Sequence, residues 1–389
     1  VRTAVGRELP HEEVGRSWAA ARGPAQGLHV DTAACGRTSR AVRDRVADHL
    51  ALEAGVGGYV AEAAVTEELR GARDLLGALL GFDGDDLAFV ESGSAALAQL
   101  LASWPVETGD RVWVLPSEWG PNLAAFSDRG LRVEFLAADG QGRLDVEALR
   151  RRLAADRPAM VHLTAAAAHR ALVQPVAEAV AVCEPAEVPV VVDTAQALGQ
   201  IDLPATGCAA VYGTGRKYLC GPRGVGYLGV RDPWQARLVP RAPALAVGTW
   251  PGEQRPVRRL ESREASVAGR AGLATALREY HGLGPALIRE RLHAVGSALR
   301  SALAGLPGWR LRDPLDAPGA IVSLEPQGRG HDVGRTRAGL LHHGVVSTVA
   351  GTERAPHDMT RPVLRFSPHV DITADDIHRL AALLAGLGA

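Results

Sequence analysis

Short apolar runs bounded by turn residues alternate along the chain with stretches whose apolar positions recur every three or four residues. DLAFVES, RVWVLPS, RVEFLA, AMVHLT, VPVVVD, AAVYGT and GVGYLGV read as strands, and SAALAQLLASW, NLAAFSDRG, DVEALRRRLAAD and PVAEAVAVCE as the helices between them. This alternation predicts an α/β domain with a mostly parallel sheet and helices on both faces, from about Val30 to about Arg270. A helical stretch from Val267 through Leu306 follows, then AIVSLEP, a helix from Val333, HHGVVSTVA, PVLRFSPHV and DDIHRLAALLAGL, which together read as a small α+β domain. The expected organisation is 1–29 as an N-terminal segment packing on the small domain, 30–270 as the large domain, and 271–389 as linking helix and small domain.

In an open α/β sheet, ligands collect beyond the carboxyl ends of the strands. VVVDTAQ delivers Asp193 to such an end with Gln196 one turn on, although a capping or loop aspartate would look the same. Twenty-four residues after Asp193, beyond a further strand, stands the loop Thr214-Gly215-Arg216-Lys217, followed by a glycine-rich turn. Ser92-Gly93-Ser94-Ala95 follows a strand and opens a helix, where backbone N–H groups and the helix dipole suit a dianion; an ordinary N-cap uses the same residues. A P-loop is excluded because Arg216 precedes the lysine and Tyr218 follows it, and no GxGxxG opens a helix after the first strand.

Composition sharpens one of these points. Of 43 basic side chains, one is lysine, Lys217, and all others are arginine. A guanidinium keeps its proton near neutral pH and cannot act as an amine nucleophile, whereas a lysine with a lowered pKa can form an imine. The alternative is a solvated survivor of coding bias. With 44 acidic residues the net charge is -1, which offers no pull toward nucleic acid or anionic lipid and favours a small-molecule partner. The four cysteines, Cys35, Cys183, Cys208 and Cys220, form no CxxC pair, and among 13 histidines only His342-His343 are close, pointing apart. No metal site is expected. The absence of a signal-like or membrane-length apolar stretch gives the expectation of a cytoplasmic protein.

Taken together, Asp193, the lysine loop, the SGS turn and LRFSPHVDIT resemble the fold-type-I pyridoxal-phosphate (PLP) enzymes of the class V aminotransferase branch over nearly the whole chain. The resemblance implies that Lys217 holds PLP covalently, Asp193 pairs with the pyridinium nitrogen, and Gln196 approaches the ring's phenolic oxygen. It gives the phosphate to Ser94, the Ala95 backbone, Thr214 and Arg216, the last standing where the family commonly has histidine. Trp119 of SEWGPNL matches the ring that stacks on the cofactor, the alternative being a core tryptophan. Arg365 of LRFSPH matches the arginine that clamps the substrate α-carboxylate, the alternative being a surface arginine.

Within this branch, cysteine desulfurases carry a thiol shortly before that arginine; HHGVVSTVAGTERAPHDMTRPVLRF contains none. HVDTAACGRTS, VGGYVAE, EWGPNLAAF, HRALVQPVAE, GRKYLCGPRGVGYL and LESREASVAGRAGL are instead similar to the PLP-dependent carbon–sulfur lyases of ergothioneine biosynthesis. Arg263-Glu264 departs from the Gly-Thr that many relatives use to reach a neighbouring subunit's phosphate. The resemblance implies β-elimination on hercynylcysteine sulfoxide, giving the sulfenate (reduced to ergothioneine), pyruvate and ammonia, in a homodimer. For the trimethylammonium half of that substrate, Tyr59, Glu62 and Trp250 are candidates, with core packing as the alternative. A desulfurase-like or other class V amino-acid enzyme and a non-catalytic PLP-fold binding protein are the competing readings.

Overall fold

The computed structural model describes residues 9–203, 207–239, 255–262, 264–328 and 331–387. Its centre is a seven-stranded sheet built from β2 (Leu87–Val90), β3 (Arg111–Val114), β4 (Arg132–Phe135), β5 (Met160–Thr164), β6 (Val190–Asp193), β7 (Ala210–Thr214) and β8 (Gly226–Val230), in the order β2-β8-β7-β6-β5-β3-β4. Neighbours pair in parallel except at β8, which runs antiparallel to both β2 and β7. Hence β2, β3, β5, β6 and β7 all discharge their chains at the same sheet edge.

Most of the strands read as apolar runs because both faces are covered; β2, β5, β6, β7 and β8 are buried at every position, whereas the edge strand β4 is exposed at both ends. One face packs on a core containing Leu76, Phe89, Trp113, Leu163, Val192, Leu273 and Leu277, the other on a core containing Leu97, Leu100, Phe126, Met160, Tyr212 and Leu228. The helix Thr66–Leu80, amphipathic with Leu69, Leu76 and Leu80 inward, and the helix Val267–Leu283 cover the first face. The long C-terminal helical stretch is interrupted: Gly284 takes φ 88 and Pro285 opens a new helix, Pro285–Leu303. A left-handed glycine followed by proline stops one helix and starts the next at a new angle.

The small domain holds a four-stranded antiparallel sheet, β12 (Thr348–Ala350), β13 (Val363–Phe366), β10 (Val322–Pro326) and β9 (Trp309–Leu311). The N-terminal β1 (Leu28–His29) pairs in parallel with β11 (Val345–Val346), so the segment entering the large domain first strands itself on the small one. The helix Glu12–Arg22 adds a second tie: Trp18 is buried and stacks on His369 with centroids 4.4 Å apart and planes 7° from parallel. His369 Nε2 in turn donates to the Tyr218 carbonyl at 3.0 Å, next to the lysine. Among the described residues no helix is long and apolar enough to cross a membrane.

Candidate active site

The common strand edge opens onto a cleft of about 420 Å³, in the range of small-molecule sites. Among its lining residues are Ser92, Gly93, Ser94, Trp119, Asp193, Gln196, Thr214, Arg216 and Lys217, contributed by the turns after β2, β3, β6 and β7. The register explains the convergence: Thr164 stands beside Asp193, Asp193 beside Tyr212, and Thr214 beside Gly226. Gly226 is required there, since a Cβ would sit 2.6 Å from the Gly213 carbonyl oxygen and 2.7 Å from the Ser92 backbone. That close approach seats the Ser92 turn against the sheet edge.

Asp193 is buried and held from two sides: Oδ1 accepts the Ala195 N–H at 2.8 Å and Oδ2 the Asn122 side-chain amide at 3.1 Å. Behind it lies a polar network that the sequence reading did not single out. Glu118 Oε1 accepts from Asn122 (2.8 Å), Thr164 Oγ1 (2.6 Å) and the Trp119 N–H (2.9 Å), and its Oε2 lies 2.9 Å from His162 Nδ1. His162 Nε2 is 3.0 Å from the Tyr212 hydroxyl. Burial alone would raise the Glu118 carboxyl; the His162 charge and the hydrogen bonds outweigh it and hold it below the usual carboxylate range. Burial first, then the Asp193 and Glu118 charges, push the Tyr212 phenol well above its ordinary value. The available signal was polar residues alternating within apolar strands, His162 and Thr164 on β5 and Tyr212 on β7.

Lys217 faces this carboxylate from the turn after β7. Burial in the cleft, opposed by Asp193 and reinforced by Arg216, Arg365 and Arg354, lowers its amine to about 7. At neutral pH a large fraction is therefore the free base, the state needed for nucleophilic attack or proton abstraction.

The cleft suits the expected cofactor. The Gln196 Oε1 atom is buried without a partner among the described residues while its Nε2 donates to the Ala33 carbonyl at 3.1 Å, leaving an open polar atom that a ligand would satisfy. Gly93 and Ser94 open the helix Gly93–Ser103, whose first-turn N–H groups have no intrahelical partner. The Ala95 N–H takes no further partner while it donates to the N-cap Ser92 hydroxyl at 3.1 Å, and Ser92 and Gly93 line the cleft together with Ser94. Thr214 and Arg216 lie on the adjoining turn, with burial lowering the Arg216 guanidinium.

The expected substrate residues are dispersed. Arg365 on β13 is fully buried and is not among the residues that line the cleft: Nη1 donates to the carbonyl of Ala168, which does line it (2.7 Å), Nη2 pairs with Asp31 (3.2 Å), and Nε has no partner among the described residues. Tyr59 does not enter its own chain's cleft, because the helix Gly58–Ala64 turns it outward and leaves it 81% exposed; Glu62 on the same helix does not line the cleft either. Trp250 and Arg263 lie outside the described residues. Conversely, Cys35, Arg223 and Arg354 line the cleft without having been anticipated.

Comparison with known proteins agrees with this geometry. The profile of the aminotransferase class-V family matches residues 28–380. A probable hercynylcysteine sulfoxide lyase of Mycobacterium tuberculosis (strain CDC 1551 / Oshkosh) is 42% identical over 374 residues, 96% of this chain and 93% of that protein. Among solved structures, the apo cysteine desulfurase of Thermococcus onnurineus NA1 shares the fold with a TM-score of 0.83 at 18% identity, covering 98% of both chains. A C-DES variant with glycine covalently linked to its PLP cofactor gives 0.81 at 17% identity, covering 97% of this chain and 99% of that one. The chain belongs to the aminotransferase class-V family, fold-type-I enzymes whose cofactor is pyridoxal phosphate.

Proposed function

We propose that this protein cleaves the carbon–sulfur bond of hercynylcysteine sulfoxide by β-elimination, releasing the ergothioneine sulfenate, pyruvate and ammonia. The observation that carries the reading is the 42% identity, over 96% of the chain, to the probable hercynylcysteine sulfoxide lyase, together with a cleft that presents an amine lowered to about 7 opposite a doubly held carboxylate.

Bound PLP supplies an electron sink for the pair left when the α-proton departs. Lys217 would hold it, and its amine would take the α-proton. Asp193 would hold the pyridinium nitrogen and Gln196 the phenolic oxygen, with Trp119 packing against the ring. Ser92, Gly93, Ser94, Thr214 and Arg216 hold the phosphate. Arg365, backed by Asp31, anchors the α-carboxylate through its unpartnered Nε side. The stretch between β12 and β13, where a desulfurase would need its thiol, contains no cysteine, which disfavours persulfide chemistry.

We further place the enzyme in the cytoplasm as a homodimer. Leu50, Val56, Tyr59 and Val60 are exposed apolar side chains on two successive helices, which a second copy would cover.

The discriminating experiment offers the PLP-loaded protein hercynylcysteine sulfoxide and cysteine separately. Pyruvate from the first with no sulfide or alanine from the second supports the reading. Sulfide or alanine from cysteine alone replaces it with a desulfurase.

A further inference from the structure

The cleft's rim on the small-domain side is the connection from β12 to β13, and it is pinned to the large domain. Asp358 accepts from His169 Nε2 at 2.5 Å and from Arg170 Nε at 2.8 Å and Nη2 at 3.1 Å. The Glu353 carbonyl oxygen lies against Gly120 so closely that a Cβ there would meet it at 2.0 Å. Ala355 and Met359 are buried with Ala350 and Val363 in a small cluster of their own.

The group this segment presents is Arg354, at the end of the short turn Thr352–Arg354. Its guanidinium carbon lies 5.7 Å from the Trp119 ring centroid, it lines the cleft together with Lys217, and among the described residues it makes no ion pair. Arg365, by contrast, is committed to Asp31, and Arg216 stands on the lysine turn itself. A pre-positioned, half-buried cation that feels Glu353 and Asp31 only at a distance, with no direct ion pair among the described residues, is what an anionic or charge-developing ligand group requires.

We propose that Arg354 binds the sulfoxide oxygen and stabilises the oxyanion of the leaving group. The inference rests on the substrate reading above. Lys217 acts at Cα; the carboxylate is one bond away and is assigned to Arg365, whereas the sulfoxide oxygen is three bonds out and falls to Arg354 on the rim. In the step it serves, Cα gives its proton to Lys217, a Cα–Cβ double bond forms, and the Cβ–S bond breaks. The bonding pair leaves with sulfur as R–S–O⁻, with no net oxidation or reduction.

The test uses the full-length, PLP-loaded enzyme and its Arg354→Met and Arg354→Lys variants with two substrates. Hercynylcysteine sulfoxide leaves as an oxyanion, and β-chloroalanine leaves as chloride with the same α-carboxylate. The ratio of kcat on the sulfoxide to kcat on β-chloroalanine is expected to fall about 100-fold in Arg354→Met, as for loss of an oxyanion donor, and to recover in part in Arg354→Lys. Should the methionine variant fail to fold, the lysine variant still reads out through the same ratio, between the wild-type and hundredfold-reduced values. An unchanged ratio overturns the proposal, as does a joint fall on both substrates through KM, which would make Arg354 a carboxylate anchor. If the wild type eliminates chloride but leaves hercynylcysteine sulfoxide intact, the substrate reading fails. The ratio measured with S-methylcysteine sulfoxide then decides Arg354, and absence of turnover on that compound too overturns both.

Discussion

The side-chain amide of Asn122 donates to Asp193 Oδ2 at 3.1 Å and to Glu118 Oε1 at 2.8 Å, joining the carboxylate that lines the cleft to one fully enclosed behind it. Asp193 is thereby aimed by a network anchored through Thr164, His162 and Tyr212 on the sheet itself. Asn122→Ala removes one of the two hydrogen bonds that orient Asp193. We expect kcat to fall about 100-fold, the scale of a small misplacement at a reacting centre, with weaker PLP affinity in an absorbance titration. Asn122→Asp should be worse, since it puts a like charge between two carboxylates; equal activity in both variants would show that the amide does not aim Asp193.

The Lys217 amine sets a pH dependence. Its value of about 7, against 10.5 for an ordinary lysine, means that apoenzyme acquires the neutral amine as pH rises through 7. The rate of covalent PLP capture should rise up to about pH 8 and then level off. Stopped-flow absorbance checks this, and a rate still climbing tenfold per unit toward pH 10 would contradict the lowered amine.

Thiol reactivity should be confined to one position. Cys35 is partly exposed in the cleft, while Cys183, Cys208 and Cys220 are buried and their thiols pushed up by that burial to about 12. Brief iodoacetamide treatment of apoenzyme followed by peptide mass spectrometry should label Cys35 first, and loading with PLP should slow that labelling.

Stability should follow the Trp18–His369 stack. Burial lowers His369 to about 3, so the folded state keeps the ring neutral while the unfolded chain binds a proton below about 6.5. The unfolded state therefore gains protons between those values, and the stability the neutral ring provides is lost as pH falls from 6.5 toward 3. Trp18→Ala should cost about 3–5 kcal/mol in urea unfolding at pH 7, and it should loosen the lysine turn that His369 holds through the Tyr218 carbonyl.

Much of this was legible in the chain. Every strand of the large sheet corresponds to a run seen in the pattern, and β2, β6, β7 and β8, buried at every position, are largely free of polar interruptions. Asp193, Gln196, Thr214, Arg216 and Lys217 gather in the cleft because a parallel sheet brings successive strand ends to one edge. What escaped was set by tertiary approach. Arg354 follows β12, far along the chain from Trp119, and only the pinning by Asp358 and Gly120 brings them together. Arg365 reads as a substrate clamp in sequence, yet its pairing with Asp31 depends on the segment after β1 lying alongside β13. The antiparallel sense of β8 is likewise invisible to an apolar run, which has no direction.

The most direct test of the central claim is pyruvate release from hercynylcysteine sulfoxide by the PLP-loaded protein and by Lys217→Ala. The account predicts stoichiometric pyruvate with the wild type and none above background with the variant. Equal pyruvate from both would contradict it, because the lysine assigned to the chemistry would then be dispensable.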